Sequence, residues 1–204
     1  ESMKEKNLDA LLLFRQESMY WLTGYDTFGY VFFQCLVFTL EGNKILLTRA
    51  ADLRQAQNTS NIKDIRIWVD RDNNNPAENL KSILVELSLE NKNLGVEYET
   101  YGLTGKNAMR LNNSLKNFAK LHDESFLITK HRLVKSDYEI KYVKKAAELA
   151  DKALEKAWES SHPGADESDI LSAMQGAIFS GGGDYPGNEF IIGSGPDALL
   201  CRYF

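Results

Sequence analysis

Apolar and polar positions in the first two-thirds of the chain switch repeatedly between strand-like and helix-like patterns. LDALLLF (8–14) is a short apolar run suited to a buried strand, and SMYWLTGY (18–25) reads as a helical turn closed by Gly24. VFFQCLVFTL (31–40) and KILLTR (44–49) flank EGN (41–43), which predicts an antiparallel hairpin turning at Gly42-Asn43. ADLRQAQN (51–58) is helical in pattern, and DIRIWVD (64–70) alternates with period two. PAENLKSILVELSLEN (76–91) opens on a proline suited to a first helical turn and carries Leu80, Ile83, Leu84 and Leu87 at helical spacing. NLGVEYE (93–99) returns as a strand, TGKNAMRLNNSLKN (104–117) as a helix and SFLITKHRLV (125–134) as a last strand. Five or six strands with helices between them predict an α/β domain built on a mixed sheet.

The texture changes at Lys135. Ser136-Asp137-Tyr138-Glu139 has the spacing of a capping box, in which a hydroxyl and a carboxylate satisfy exposed helix-start amides. Ile140, Val143, Ala147, Ala150, Leu154 and Ala157 then recur at helical spacing, predicting one long amphipathic helix to Trp158 that His162-Pro163-Gly164 ends. Asp166 starts a second helix bearing Ile170, Ala173, Met174 and Ala177, which ends in the glycines at 181–183. The apolar stretch after Pro186-Gly187 reads as the one clear strand of this region. Two helices and one strand enclose little core, so the second unit reads as incomplete.

Composition narrows the function classes. With 43% hydrophobic and 26% charged residues in 204, the chain is ordinary globular material, long enough for one large domain or a typical domain plus part of another. A net charge of -5 and a pI near 5.3 argue against nucleic acid as a partner, because phosphate binding needs a basic face. The longest apolar run, Tyr30 to Leu40, is broken by Gln34 and Thr39, so no membrane span is expected. The first residues, ESMKEKN, lack the apolar stretch of a signal peptide. Cys35 and Cys201 are expected to be free buried thiols, as in a reducing cytoplasm. None of His122, His131 and His162 has a second His or Cys at metal-ligand spacing.

Four local patterns invite a chemical reading. GSGPD (193–197) lacks the Lys-Ser or Lys-Thr of a phosphate loop, since Ala198-Leu199 follows. Asp184, Glu189 and Asp197 are spread over a loop, a strand and a loop with no histidine nearby, and read as surface carboxylates. Cys201 could pair with His122 or His131 as a nucleophile, but no flanking signature supports this over a structural thiol. YWLTGYDTFGYVFF (20–33) is the most aromatic part of the chain. It suits core packing, and equally, with Gly24 and Gly29 bracketing Tyr25, Asp26, Thr27 and Phe28, a ligand or subunit contact.

Taken in order, the motifs resemble those of the creatinase and prolidase family, which includes Xaa-Pro dipeptidase, Xaa-Pro aminopeptidase and ectoine hydrolase. The resemblance rests on Tyr20-Trp21-Leu22-Thr23-Gly24-Tyr25, Arg132-Leu133-Val134-Lys135-Ser136-Asp137-Tyr138-Glu139-Ile140 and Gly164-Ala165-Asp166-Glu167. Pro186-Gly187-Asn188-Glu189-Phe190-Ile191-Ile192-Gly193-Ser194-Gly195-Pro196-Asp197 completes it, so the match covers nearly the whole chain. It implies a creatinase-like N-terminal domain over residues 1–133 and the beginning of a truncated α+β "pita-bread" catalytic domain over residues 134–204.

The resemblance also implies an activity: hydrolysis of a C–N bond in a small amide, amidine or Xaa-Pro peptide by a cytoplasmic homodimer. In family peptidases two aspartates, a histidine and two glutamates hold two divalent metal ions, downstream of the point matching Phe204. The segment itself is therefore expected to hold no metal or other cofactor and to be inactive alone. Family peptidases carry a histidine just after the Ser-Gly-Pro loop, where this sequence has Leu200-Cys201-Arg202-Tyr203. Arg202 stays protonated and cannot act as a general acid or base near neutral pH, but it can clamp a substrate carboxylate. The alternative is a shifted register, with Arg202 an outward surface residue. In family dimers the segment after Tyr-Leu-Thr-Gly reaches the other subunit's active site, which makes Tyr25, Asp26, Phe28 and Tyr30 expected substrate-binding residues. Replacing Tyr25 or Phe28 by Ala is expected to raise KM with the fold intact. The competing reading is a non-catalytic binding or dimerisation module that keeps the N-terminal domain without a working site.

Overall fold

Four consecutive apolar residues, Ala10–Leu13, form β1 inside a six-stranded sheet of the computed structural model, which describes residues 1–200. The other strands are β2 (Cys35–Thr39), β3 (Lys44–Arg49), β4 (Asp64–Trp68), β5 (Asn93–Val96) and β6 (Lys120–Asp123). They lie in the order β4-β3-β2-β1-β5-β6. The β1–β2 and β2–β3 pairs are antiparallel, and the β3–β4, β1–β5 and β5–β6 pairs are parallel. Gly42, at φ +93°, lets the chain reverse between β2 and β3, in the turn the sequence predicts.

Strand side chains alternate between faces, so β1 is apolar throughout because both of its faces are covered. Ala10, Leu12 and Phe14 join Val37, Leu47, Leu94 and Val96 beneath α4 (Pro76–Glu86) and α5 (Gly105–Leu115), which contribute Leu80, Ile83, Leu84, Leu111 and Leu115. Leu11 and Leu13 join Leu36 and Leu46 on the other face. There they meet Met3 of α1 (Ser2–Glu5), Met19 of α2 (Gln16–Thr23), Ala56 of α3 (Leu53–Thr59), and Leu127 and Ile128 of α6 (Leu127–Leu133). A mixed sheet between two helical layers is the architecture the alternating pattern implies.

The chain divides into two compact units, Glu1–Val134 and Lys135–Phe204. In the second, α7 (Asp137–Ser160) begins at a capping box: the Ser136 hydroxyl accepts from the Glu139 N–H, and the Glu139 carboxylate accepts from the Ser136 N–H. Asp166 caps α8 (Glu167–Ser180), its carboxylate accepting from the Ser168 N–H, and hydrogen bonds from the Ser168 side chain and N–H hold Asp166 below the usual carboxylate range.

Three expectations are corrected. Residues 125–134 hold helix α6, and the sixth strand is 120–123 instead. Leu127 and Ile128 point together into the core, while Lys130, His131 and Arg132 occupy the last turn, where the helix dipole favours positive charge. The true strand, at the sheet edge, is mostly exposed and so carries no apolar signal. The stretch after Pro186-Gly187 forms no strand among the described residues, because the second unit offers it no partner to pair with. Along α7 the buried positions are Leu149 and Ala153, whereas Ile140, Val143 and Leu154 of the expected stripe are exposed.

A buried carboxylate ties β5 to the start of α2. Glu97, 1% exposed, accepts the backbone N–H groups of Phe14 (3.1 Å) and Arg15 (2.9 Å) at Oε2 and the Ser18 hydroxyl (2.6 Å) at Oε1. Burial pushes its pKa up, opposed by these three hydrogen bonds and by Arg15. The folded state therefore keeps a proton that the unfolded chain releases at the ordinary carboxylate value. The stability this site contributes is full below that value and is lost as pH rises through the raised one. Gln at this position can accept both amides through its oxygen and donate to Ser18 through its NH₂. Glu97→Gln is expected to abolish that pH-dependent loss, read by urea denaturation at several pH values. Glu97→Ala leaves two buried amides unpaired and is expected to cost about 3 kcal/mol in the same measurement.

Candidate binding loop of the N-terminal unit

Helix α2 ends at Gly24, whose left-handed conformation (φ +79°) lets its N–H bond Tyr20 O at 2.7 Å. A Cβ there would sit 2.9 Å from the carbonyl oxygen of Thr59 at the end of α3. Beyond this pivot the chain alternates strictly. Tyr25, Thr27 and Gly29 are buried, while Asp26, Phe28 and Tyr30 are exposed. The period is that of a strand edge, yet the segment closes in a 3₁₀ turn at Gly29–Val31.

The inward side chains find polar partners. Tyr25 is completely buried; its hydroxyl donates to Gln34 Oε1 (2.9 Å) and lies 3.2 Å from Thr48 Oγ1. Burial pushes its phenol up. Gln16 Nε2 donates to the Tyr25 carbonyl at 2.8 Å. Thr27 Oγ1 accepts from the Gly29 N–H (2.8 Å) and donates to Asp52 Oδ1 (3.2 Å). Asp52 in turn accepts from Arg49 Nε at 3.3 Å, and the Arg49 guanidinium lies 3.6 Å from the centre of the Phe32 ring.

Outward, the loop shows Phe28, 84% exposed, Tyr30, 37% exposed, and the Asp26 carboxylate, while the Asp26 N–H is held by Thr59 Oγ1 at 3.1 Å. Two aromatic rings and a carboxylate share the exposed positions of the loop. The structure thus gathers Asp26, Phe28 and Tyr30 on one side and turns Tyr25 into the core. Removing Tyr25 would open a cavity, so the expectation of an intact fold after Tyr25→Ala is corrected. The supporting residues Gln34, Thr48, Arg49 and Asp52 were not singled out in the sequence, because polar residues scattered over two strands and a turn form no local motif.

Arg202 and Cys201 lie outside the described residues. Cys35 is a free, completely buried thiol pushed well up by burial, unsuited to nucleophilic attack. His122 Nε2 lies 3.0 Å from Asn93 Oδ1 and His131 Nε2 2.9 Å from Ser2 Oγ, both in the N-terminal unit. Ser194 precedes a 3₁₀ turn at Gly195–Leu199, so GSGPD opens no helix that could cradle a phosphate. Among the described residues no group of three His, Cys, Asp or Glu could hold a metal ion, and no helix is long and apolar enough to cross a membrane.

The comparisons agree with this division of the chain. The family model of the Creatinase/Prolidase N-terminal domain matches residues 1–134, and that of Metallopeptidase family M24 matches residues 141–204. Ectoine hydrolase of Halomonas elongata is 26% identical over 96% of this chain and 53% of its own length. Xaa-Pro dipeptidase of Pyrococcus horikoshii is 26% identical over 98% of this chain and 52% of its own length. The X-Pro aminopeptidase of Thermotoga maritima superposes with a TM-score of 0.72 at 17% identity, covering 89% of this chain and 48% of that one. For an Xaa-Pro dipeptidase of Bacillus anthracis the values are 0.70, 21%, 88% and 46%. The chain spans about half the length of the curated relatives it matches. By its N-terminal domain, its motifs and the order in which they occur, the chain belongs to the creatinase and prolidase family.

Proposed function

We propose that the full-length protein hydrolyses a C–N bond in a small amide, amidine or Xaa-Pro peptide, and that the 25–30 loop forms part of its substrate wall. The observation that carries this reading is the alignment of nearly this whole chain with about half of an ectoine hydrolase and of an Xaa-Pro dipeptidase. Both substrates named by those proteins are small and zwitterionic. The loop suits such a molecule: the Asp26 carboxylate attracts a cationic end, and Phe28 and Tyr30 offer rings against which its apolar part loses water. Arg202 would take the carboxylate end, with the fork geometry that makes arginine a carboxylate clamp.

The reading includes a homodimer in the cytoplasm, in which residues 1–133 of one subunit wall the active site of the other. A free thiol at Cys35 fits a reducing compartment. The M24 match suggests a metal enzyme, with two divalent ions as the finer proposal. In this reading the 25–30 loop binds and orients the substrate.

The test is hydrolysis of Ala-Pro, creatine and ectoine by the full-length protein, before and after dialysis against a chelator. Turnover of one of them, lost on chelation and restored by a divalent ion, is the expected result. Turnover insensitive to chelation would replace the metal mechanism with a creatinase-like one. No turnover of any, with a dimer in sedimentation, would favour the binding-module alternative. Phe28→Ala is expected to raise KM about tenfold with kcat within about twofold and an unchanged melting temperature. An unchanged KM would remove the loop from the site.

A further inference from the structure

Asp52 ends the 3₁₀ turn Ala50–Asp52, which runs directly into α3, and its side chain makes no cap bond to that helix. Its carboxylate instead turns toward the loop, with Oδ1 accepting from Thr27 (3.2 Å) and Oδ2 from Arg49 Nε (3.3 Å). Gly29 leaves room for it: a Cβ on Gly29 would lie 2.7 Å from Cγ and both oxygens of Asp52. Thr27 passes the restraint on by accepting the Gly29 N–H, and Phe32, stacked under the Arg49 guanidinium, fixes the far end of the turn. Both sides of the exposed segment Phe28–Val31 are therefore tied to one carboxylate, which is itself largely shielded from water.

We infer that Asp52 is a positioning residue, whose carboxylate, seated in the space left by Gly29, sets the orientation in which Phe28 and Tyr30 are presented. Its charge matters as well as its shape, because Arg49 is the second partner and charge-assisted bonds are the stronger ones. The consequence for binding rests on the reading of the loop as a substrate wall; the restraint itself does not.

The experiment uses the full-length protein and two readouts. Hydrogen exchange over residues 25–33 measures the restraint without substrate. KM and kcat, for whichever of Ala-Pro, creatine or ectoine the wild type hydrolyses, measure its effect on binding. Asp52→Ala is expected to speed exchange in that segment about tenfold or more and to raise KM about as much as Phe28→Ala, with kcat within about twofold. Asp52→Asn keeps the volume and loses the charge toward Arg49, so it should shift both readouts in the same direction by less. It serves also if the Ala variant folds poorly. Gly29→Ala should mimic Asp52→Ala by displacing the carboxylate. In the double variant the added methyl fills vacated space, so its effect should be no larger than that of Asp52→Ala alone. Unchanged exchange in both Asp52 variants, or additive effects in the double variant, would overturn the assignment. Faster exchange with KM unmoved in Phe28→Ala would uphold the restraint and overturn only the substrate-wall reading.

Discussion

The geometry of the N-terminal unit depends on one buried carboxylate. Glu97 lies just past β5 and collects the amides of Phe14 and Arg15 and the hydroxyl of Ser18, which fixes where β1 stops and α2 starts. A negative charge at the first turn of a helix is favoured by the aligned peptide dipoles, and burial opposes it; here burial prevails and raises the proton affinity. What Glu97 settles is propagated along α2 to its left-handed cap at Gly24, and from there to the level at which Tyr25 enters the core. The exposed loop thus hangs from two polar anchors, Glu97 at the start of α2 and Asp52 at the start of α3.

The sheet and most helices were legible because their signals are local. An apolar run, a glycine after a helix, a Ser-x-x-Glu box and a Gly-Asn turn each act within a few residues, and each formed where the pattern put it. The sixth strand was not legible, since an exposed edge strand has no buried face to leave an apolar trace, whereas Leu127 and Ile128 of α6 do leave one and mimic a strand. The candidate site was half legible. The aromatic density between two glycines marked the loop, but whether Tyr25 or Phe28 faces outward depends on Gln34, Thr48 and Asp52, which are distant in sequence.

The two units differ in how far their hydrophobic patterns are used up. In the first, every strand of the sheet's centre is covered on both faces, and the apolar runs are accounted for by two cores. In the second, α7 buries Leu149 and Ala153 beside α8 while Ile140, Val143, Leu154 and Trp158 remain exposed. A helix apolar on more than one side belongs between packed layers. This agrees with a chain that spans about half the length of its curated relatives and matches Metallopeptidase family M24 only over residues 141–204.

Strict alternation within the loop separates two kinds of constraint. Tyr25, Thr27 and Gly29 answer to the core, where a changed volume or a lost hydrogen bond costs stability. Asp26, Phe28 and Tyr30 answer only to whatever meets them from outside. A backbone held at every second residue can exchange its outward side chains without moving, because the restraints act on residues that those side chains never touch. That arrangement suits a family whose members named here act on ectoine and on Xaa-Pro peptides. In the proposed reading of the loop, substrate preference changes through the exposed positions while Asp52, Arg49 and Gln34 keep the frame.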